Sequence, residues 1–345
     1  MPQPQGRSPV VDCHAHAVPE ALLEELADTG AAHAFSARRT EQGWLVRTPE
    51  GDDRLIREGM FLAERRASMR GARGIDVQLL SPWLDLQPTA SMPAAAARDW
   101  ARRINEALLA EAGQATTDGP VPALATVALD DVDDAAADLV TAVGELRMAG
   151  LVLSTNPVHC RDLGDPRLEP LWTAAEELGV PVMLHPPADG PARSLPGSKE
   201  FGNAYCRLVD TSFGVATLVL CGVLDRHPGL RLVTVHGGGF LPYQAMRLDG
   251  AHSADALAGH ALDRGCPSAY LGDLFYDTVA MSSAAIRFLV DAVGAQQVLL
   301  GSDQPFPLGD RDPVATVRAA GLGESDTAAV LGGNATRLLT GGHRA

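Results

Sequence analysis

The sequence predicts an α/β fold, a (β/α)8 TIM barrel with a small β-hairpin insertion after the first strand. Short apolar runs rich in β-branched residues recur along the chain, and Ala- and Leu-rich segments of helical period lie between them. Eight such βα units fit a barrel, which typically takes about 250 residues and grows by loop insertion. The eight predicted strands are 10–16, 77–81, 121–127, 151–155, 181–185, 230–236, 274–279 and 297–303. The clearest predicted helices are 94–112, 131–149, 166–178 and 282–293.

An open, doubly wound sheet is the alternative arrangement of the same units. Polar residues at strand ends favour the barrel. His16, His185, His236 and Asp303 end the first, fifth, sixth and eighth predicted strands, and barrel enzymes place their chemistry at this end of the strands. In an open sheet these four residues would not converge on one point.

No stretch rich in Gly, Ser or Pro divides the chain, so the sequence predicts one domain over residues 1–345. Two segments exceed the length of ordinary connections. Residues 33–60 contain a β-branched and aromatic run followed by a turn, which predicts the β-hairpin insertion. Residues 186–211 form a polar segment after the fifth strand, and we expect a loop over the site there.

Composition excludes several classes of function. The chain has 28 Lys and Arg against 43 Asp and Glu, a formal net charge of −15, which disfavours binding to nucleic acid. The first nine residues contain no apolar stretch, so we expect neither a secretion signal nor membrane attachment, and we predict a cytoplasmic location. The five cysteines show no C-x-x-C spacing, which argues against a disulfide framework or a thiolate zinc site.

The first strand carries the most informative motif. Alternation along a strand places Asp12, His14 and His16 on one face, and two imidazoles on a rigid strand suit Zn²⁺ and similar ions. A single His-x-His also occurs on ordinary surface strands. Together with His185 and Asp303 it predicts a mononuclear metal site, because the same groups clustered without a cation would be costly to desolvate.

Four motifs in order resemble the amidohydrolase superfamily. They are His14-Ala15-His16, His185-Pro186, the His-Gly-Gly-Gly run at 236–239 and the Gly-Ser-Asp-Gln-Pro-Phe-Pro-Leu-Gly run at 301–309. Within the superfamily they are most similar to the metal-dependent decarboxylases of the 2-amino-3-carboxymuconate-6-semialdehyde decarboxylase type. Binuclear members carry a carboxylated lysine on the fourth strand, whereas the single lysine here, Lys199, follows the fifth. One metal ion is therefore expected.

The resemblance implies that His14, His16, His185 and Asp303 hold one divalent ion, with zinc expected and Mn²⁺, Co²⁺ or Fe²⁺ as alternatives. It implies catalytic roles for Asp303 and for His236, which stands beside the metal as the acid/base. The implied activity is O2-independent decarboxylation of an unsaturated or aromatic carboxylic acid, with metal-bound water and the histidine moving the proton.

The resemblance also points to residues that would bind the substrate. Arg54 and Arg247 are the implied carboxylate anchors, and Phe306 is the aromatic residue expected to pack against the substrate. In similar enzymes the arginine equivalent to Arg247 reaches the neighbouring subunit's site, which implies a homodimer. The sequence alone leaves other readings: other arginines lie near Arg54, Arg247 suits a salt bridge to Asp249, and Phe306 suits a rigid turn between prolines.

Hydrolysis is the main alternative activity, because the same mononuclear site with a hydroxide nucleophile would open a lactone, ester or amide. A barrel used only for binding would have lost some metal ligands, and none of the five key positions is altered. Family members commonly have tyrosine where this chain has Gln304, so we expect a different substrate pocket around a similar metal site.

Overall fold

The structure is a computed structural model and describes residues 8–28, 35–114, 121–254 and 261–341. Two positions of the predicted insertion, 33 and 34, lie outside the described residues. The strands are β1 (Val11–Ala17), β2 (Ser36–Thr40), β3 (Gly43–Arg47), β4 (Asp53–Ile56), β5 (Val77–Pro82), β6 (Leu124–Ala125), β7 (Gly150–Ser154), β8 (Pro181–His185), β9 (Arg231–Thr234), β10 (Phe275–Asp277) and β11 (Val298–Leu299). All eight strands predicted for the barrel are present, and the third and eighth are shortened to two residues each.

Helices follow the strands around the molecule. They are α1 (Glu20–Asp28), α2 (Glu58–Phe61), α3 (Ala63–Ala72), α4 (Ala94–Gln114), α5 (Val132–Gly144), α6 (Glu169–Leu178), α7 (Ser198–Phe201), α8 (Arg207–Leu220), α9 (Val223–Arg226), α10 (Leu241–Ser253), α11 (Ser283–Val293), α12 (Pro313–Arg318), α13 (Glu324–Ala328) and α14 (Asn334–Thr340). No helix within the described ranges is both long and apolar enough to cross a membrane.

The eight barrel strands run parallel and meet in a ring. β1 pairs with β5, and β6 to β11 form a second parallel sheet in chain order. Backbone hydrogen bonds join the two sheets on both sides. Leu80 N donates to Pro122 O (2.9 Å) between β5 and the start of β6, and Asp303 N donates to His14 O (2.8 Å) between the chain after β11 and β1. The barrel prediction is confirmed, and the open-sheet alternative is wrong.

Alternation along the strands separates two apolar layers. Leu79, Leu124, Val152, Met183 and Val235 come from neighbouring barrel strands and form one buried cluster. The residues that flank them in sequence, such as Leu151 and Leu153, belong to a larger cluster with the helices. His185 follows Met183 by two residues, so its side chain leaves the strand on the same face. The strand pattern therefore directs this histidine to the C-terminal mouth of the barrel.

The two insertions differ from their predictions. The first contains a three-stranded antiparallel sheet, β2-β3-β4, where the sequence predicted a two-stranded hairpin. The additional strand β2 is polar and lies at the edge of this sheet, so it lacks the apolar alternation that marks a strand. Residues 186–211 were expected to form a loop and are largely helical, because α7 leads into a π-helical turn, Gly202–Cys206, and then into α8.

Candidate active site

Three side chains from β1 and β8 and one from the segment after β11 converge at the mouth of the barrel. One potential ligand atom from each of His14, His16, His185 and Asp303 lies within 4.8 Å of the other three, and all four residues are buried. The Nε2 atoms of His14 and His16 are 3.1 Å apart, and Asp303 Oδ1 lies 3.2 Å from His16 Nε2. Ligand atoms that surround one cation at about 2.0–2.3 Å have separations of this size.

The cluster fits a cation better than it fits a hydrogen-bonded network. His185 Nε2 and Asp303 Oδ1 are buried and have no hydrogen-bond partner among the described residues. Two imidazole nitrogens at 3.1 Å satisfy each other only if one of them carries a proton and the other does not. A divalent ion would satisfy all of these atoms at once.

Protonation states support the same conclusion. Burial lowers the pKa of His16 to about 4 and places the pKa of His185 well below its ordinary value. Burial also opposes the charge on Asp303, but His14 and His16 outweigh it and hold the carboxyl pKa well below its usual range. Neutral imidazoles and an ionised carboxylate are the forms that bind metals. Burial lowers the pKa of His14, but the carboxylates of Asp303 and Asp277 outweigh it and raise the pKa. These carboxylates therefore favour a positive charge at this position.

Asp12 shares the face of β1 with the two histidines but is not part of the ligand cluster. Its carboxylate accepts hydrogen bonds from His14 N (3.1 Å), Gln78 Nε2 (2.9 Å) and Ser302 N (3.0 Å). Asp12 therefore ties β1 to β5 and to the segment that carries Asp303. Sequence analysis placed Asp12 on the same face of β1 as the two histidines, but its carboxylate is occupied by these hydrogen bonds.

Asp277, the last residue of β10, orients His14 and was not identified from the sequence. His14 Nδ1 lies 2.6 Å from Asp277 Oδ2, and since a carboxylate only accepts, the proton lies on Nδ1 and the Nε2 lone pair faces the cluster. Asp277 Oδ1 accepts from Gly237 N (2.8 Å) and Val279 N (3.0 Å). The sequence offered no clear signal for it, because Asp277 lies inside the predicted strand 274–279 and not at its end. Gly301 permits this approach, because a Cβ there would lie 2.9 Å from Asp277 Cβ.

We expect Asp277→Asn to weaken metal binding by about 10- to 100-fold. This is the usual cost of losing a hydrogen bond that orients a metal ligand. Because Oδ1 accepts from two backbone N–H groups, the introduced amide would direct its NH2 at His14 Nδ1 and favour the wrong tautomer. Competition with a chelator measures the change. Asp291→Asn, at an exposed ion pair with Arg287, is the matched control, and equal affinities in the two variants would contradict the assigned role.

His236 stands beside the ligands rather than among them. Its Nε2 lies 3.8 Å from Asp303 Oδ2, and its ring centroid lies 5.4 Å from those of His14 and His185. His236 and Asp303 both adopt positive φ, +56° and +55°, a region that is costly for residues other than glycine and that concentrates at functional sites. His236 Nδ1 has no hydrogen-bond partner within the described part of the chain.

A cavity of about 250 Å³ opens from the ligand cluster. Its walls come from the β2-β4 insertion, the β5 end, the 186–211 segment and the loops after β9 and β11. The lining residues are Arg54, Trp83, His185, Ala188, Asp189, Arg193, Asn203, Arg207, His236, Asp303 and Phe306. The centroid of the Phe306 ring lies 5.1 Å from that of His16 and 6.0 Å from that of Trp83. Phe306 therefore forms part of the cavity wall beside the ligand cluster. Gln304 is buried and accepts a hydrogen bond from Gln78 (3.2 Å) instead of lining this cavity.

The two arginines named by the resemblance lie in different places. Arg54 lines the cavity, but its guanidinium is paired with Asp85 (2.9 Å) and with Asp189. Arg247 lies on α10, is exposed and lines an apolar groove between α8 and α10, outside this cavity. Within the described residues no ion pair joins Arg247 to Asp249. Asp249 Oδ1 instead accepts a hydrogen bond from Ser268 N (2.8 Å). Trp83, Arg193, Asn203 and Arg207 were not identified from the sequence.

A barrel with three imidazoles and one carboxylate at its mouth has a set of side chains that could hold one metal ion. The amidohydrolase family model matches residues 11–340, and the chain therefore belongs to the amidohydrolase family.

Relatives within this family include decarboxylases and a hydratase. The chain is 28% identical over 201 residues to 2-amino-3-carboxymuconate-6-semialdehyde decarboxylase from Dictyostelium discoideum, covering 56% of this chain and about half (54%) of that protein. It is 27% identical over 293 residues to gamma-resorcylate decarboxylase from a Rhizobium species, covering 81% of this chain and 87% of that one. It is 26% identical over 348 residues to 2-keto-4-carboxy-3-hexenedioate hydratase from a Sphingobium species, covering 96% of each chain.

Solved structures share the fold. The crystal structure of 5-carboxyvanillate decarboxylase from Novosphingobium aromaticivorans, complexed with manganese and 4-hydroxy-3-methoxy-5-nitrobenzoic acid, superposes with a TM-score of 0.80. That match has 19% sequence identity and covers 96% of both chains. At this identity the likeness establishes the barrel architecture.

Proposed function

We propose that this chain is a metal-dependent, O2-independent decarboxylase of an unsaturated or aromatic carboxylic acid. In this proposal His14, His16, His185 and Asp303 hold one divalent ion, and His236 is the acid/base. The observation that carries it is the position of His236 at the cavity surface, 3.8 Å from the carboxylate of Asp303 and outside the four-residue ligand set. The decarboxylases among the relatives support the reaction class.

The proposed reaction exchanges a proton for CO2. A bound divalent ion supplies Lewis-acid stabilisation of negative charge on the substrate oxygens. His236 delivers its proton to the carbon that bears the carboxylate. The bond between that carbon and the carboxylate then breaks, CO2 leaves, and the electron pair of the bond returns to the unsaturated system. Neither carbon dioxide release nor the proton transfer requires an oxidant.

Arg54 and Phe306 are proposed to bind the substrate. Arg54 is held against the cavity by buried Asp85, whereas its other partner, Asp189, has a side chain that is 56% exposed. A substrate carboxylate can replace this exposed partner at a smaller desolvation cost than the buried one. The Phe306 ring lines the cavity with its centroid 5.1 Å from that of His16, so an unsaturated substrate beside His16 would pack against it.

Addition of water is the second candidate, favoured by the hydratase relative that matches 96% of each chain. The predicted alternative, hydrolysis of a lactone, ester or amide, belongs to the same group of reactions. Both would use the same four residues and would need His236 to take a proton from water first. In addition of water that proton then goes to the neighbouring carbon, and in hydrolysis it goes to the leaving oxygen or nitrogen. The two classes therefore differ in product and not in the metal site.

The decisive experiment incubates the metal-loaded protein with hydroxylated aromatic acids, unsaturated acids, lactones and esters. CO2 release, water addition and ring opening are measured in parallel. We expect metal-dependent CO2 release, and product formed in D2O should carry one deuterium at the carbon that lost the carboxylate. Water addition or ring opening without CO2 would replace the proposal with the second candidate.

The donor set accepts several divalent ions, since imidazole suits Zn²⁺, Co²⁺ and Fe²⁺ and the carboxylate suits Mn²⁺. Zinc is the prediction from the sequence. The manganese in the structure of the Novosphingobium enzyme makes Mn²⁺ the ion to compare with it. Two further proposals rest on the sequence: a cytoplasmic location, and one barrel domain over residues 1–345 with 33–60 as an insertion and 186–211 over the site.

We further propose a homodimer in which Arg247 enters the neighbouring subunit's cavity. Exposed apolar side chains from α8 and α10 support this, because a monomer seldom exposes so many large apolar groups together. Phe213, Tyr243 and Met246 are 67%, 71% and 75% exposed, and the groove beside Arg247 has a volume of about 390 Å³. Arg247 has no hydrogen bond or ion pair to the described residues of its own chain.

Complementation between two inactive variants tests this arrangement. Arg247→Met and His236→Asn are each expected to lack activity, and a mixed dimer would contain one site with both residues intact. Random assembly of equal amounts should restore about a quarter of the wild-type activity, since half of the dimers are mixed and half of their sites are complete. Sedimentation should give about twice the chain mass of 36.2 kDa. No recovery from a dimeric mixture would place Arg247 outside the neighbouring site.

A further inference from the structure

Arg207 is the first residue of α8 and borders two cavities beside the metal ligands. One is the cavity of about 250 Å³ described above, and the other has a volume of about 220 Å³. Both also contact His236 and Asp303. The guanidinium of Arg207 therefore lies where the open space meets the proposed catalytic residues.

Two fixed acceptors orient this guanidinium. Arg207 Nε donates to Asn203 Oδ1 (2.6 Å), and Nη1 donates to Pro186 O (2.9 Å). The Pro186 carbonyl lies next to the ligand His185, whose Nδ1 donates to the same oxygen (2.8 Å). A guanidinium has five N–H groups, so three remain without a hydrogen bond to the described residues. They are available to a ligand in a preset orientation.

Among the described residues no carboxylate forms a direct ion pair with Arg207, although its charge acts at longer range on the carboxylates of Asp85 and Asp210. Arg54 is paired with Asp85 and Asp189, and Arg193 Nε lies 3.9 Å from Asp189. In the part of the chain that the structure describes, no carboxylate oxygen lies within 4.0 Å of an Arg207 nitrogen. Among the three arginines of the cavity, Arg207 is thus the one free to pair with a ligand.

The charge of the whole cavity points the same way. Three guanidinium groups line it against the carboxylates of Asp189 and Asp303 and the buried carboxylate of Asp85 that pairs with Arg54, so a divalent ion would leave the cavity with an excess of two positive charges. This excess stands out in a chain with a formal net charge of −15. A substrate with a single carboxylate would balance the metal side of the cavity and leave Arg207 unpaired.

We propose that Arg207 binds a second anionic group of the substrate, so that the substrate is a dianionic acid such as an aromatic or unsaturated dicarboxylate. The inference rests on the proposed function, in which the carboxylate that is lost lies on the metal side. The second carboxylate remains in the product and is held by the planar fork of Arg207, which matches carboxylate geometry. Arg207 is therefore a specificity-determining residue.

A purely structural role for Arg207 makes a different prediction. Its hydrogen bond to Pro186 joins α8 to the end of β8, and loss of that contact would loosen the cavity for every ligand. Monoanionic and dianionic ligands would then lose affinity to the same extent. Selective loss for the dianion separates the two roles.

Calorimetric titration of the metal-loaded protein tests the proposal with benzoate and benzene-1,3-dicarboxylate as probes. We expect the dicarboxylate to bind about 10-fold or more tightly than benzoate. Arg207→Met should weaken dicarboxylate binding by about 10- to 100-fold, the range for losing hydrogen bonds to a charged partner, while benzoate binding changes little. Arg207→Lys, which keeps the charge, should recover part of the preference. Arg102→Met, on the exposed face of α4, is the control for removal of one positive charge.

Equal losses for both probes, or an unchanged preference in Arg207→Met, would overturn the proposal. Thermal unfolding of each variant identifies a folding defect, and Arg207→Lys still gives an answer if Arg207→Met fails to fold. Because binding is measured without turnover, the two proposals fail separately. An Arg207-dependent preference without CO2 release from any acid would remove the decarboxylase proposal alone. CO2 release with no preference for dicarboxylates would remove the dianion proposal alone.

Discussion

His185→Ala is expected to abolish stoichiometric metal binding and, with it, catalysis. His185 ends β8, its side chain is buried, and its Nδ1 donates to Pro186 O, which leaves Nε2 free for the metal. Loss of a contact that only orients a ligand typically costs 10- to 100-fold in affinity or activity, so loss of the ligand itself should cost more than about 100-fold. Metal analysis of the purified variant should give less than about one-tenth of an ion per chain, against one for the wild type.

Stability measurements add an independent readout of the same variant. A ligand that binds only the folded state at 100 times its dissociation constant stabilises it by about 2.7 kcal/mol. We therefore expect added metal to raise the unfolding temperature of the wild type and to leave that of His185→Ala nearly unchanged. His159→Asn is the control, because His159 lies outside the ligand cluster, 3.3 Å from Asp130, and asparagine tolerates its positive φ of +61°. A full metal complement in His185→Ala would show that the ion lies elsewhere.

The ligands could be predicted because each depends on local pattern. His14 and His16 alternate along one strand, and His185 and Asp303 follow apolar runs, so a barrel brings all of them to one end. Asp277 could not be identified in this way. Its contact with His14 joins residues 263 positions apart in the sequence, and its own strand is only three residues long.

The cavity walls were harder to predict for a different reason. Their identity depends on ion pairing between insertions, and the pairing of Arg54 with Asp189 spans 135 positions. Gly and Pro in residues 186–211 suggested a loop, whereas a short helix and a π-helical turn place Asn203 and Arg207 at the cavity. Turn-forming residues mark where regular structure is interrupted, but short helices between the interruptions escape a periodicity test.

His236→Asn is expected to separate metal binding from chemistry. Asparagine tolerates positive φ better than most residues, so this change preserves the backbone of His236 at φ +56°. His236 lies outside the four-residue ligand set, and its Nε2 is 3.8 Å from Asp303 Oδ2. Metal content should therefore stay near one ion per chain. Removal of a general acid typically costs 10²- to 10⁴-fold, and we expect a loss of CO2 release in that range.

The outcome of this substitution decides which role His236 has. Loss of the metal together with activity would make His236 a fifth ligand, and near wild-type turnover with bound metal would require another proton donor. Binding of benzoate to the metal-loaded variant serves as the control for the cavity, because a ligand that does not react needs the cavity and not the proton. Among the described residues that line the cavity, His236 is the one imidazole outside the ligand set. A loss of turnover with metal and benzoate binding both retained would therefore assign the proton transfer to this side chain.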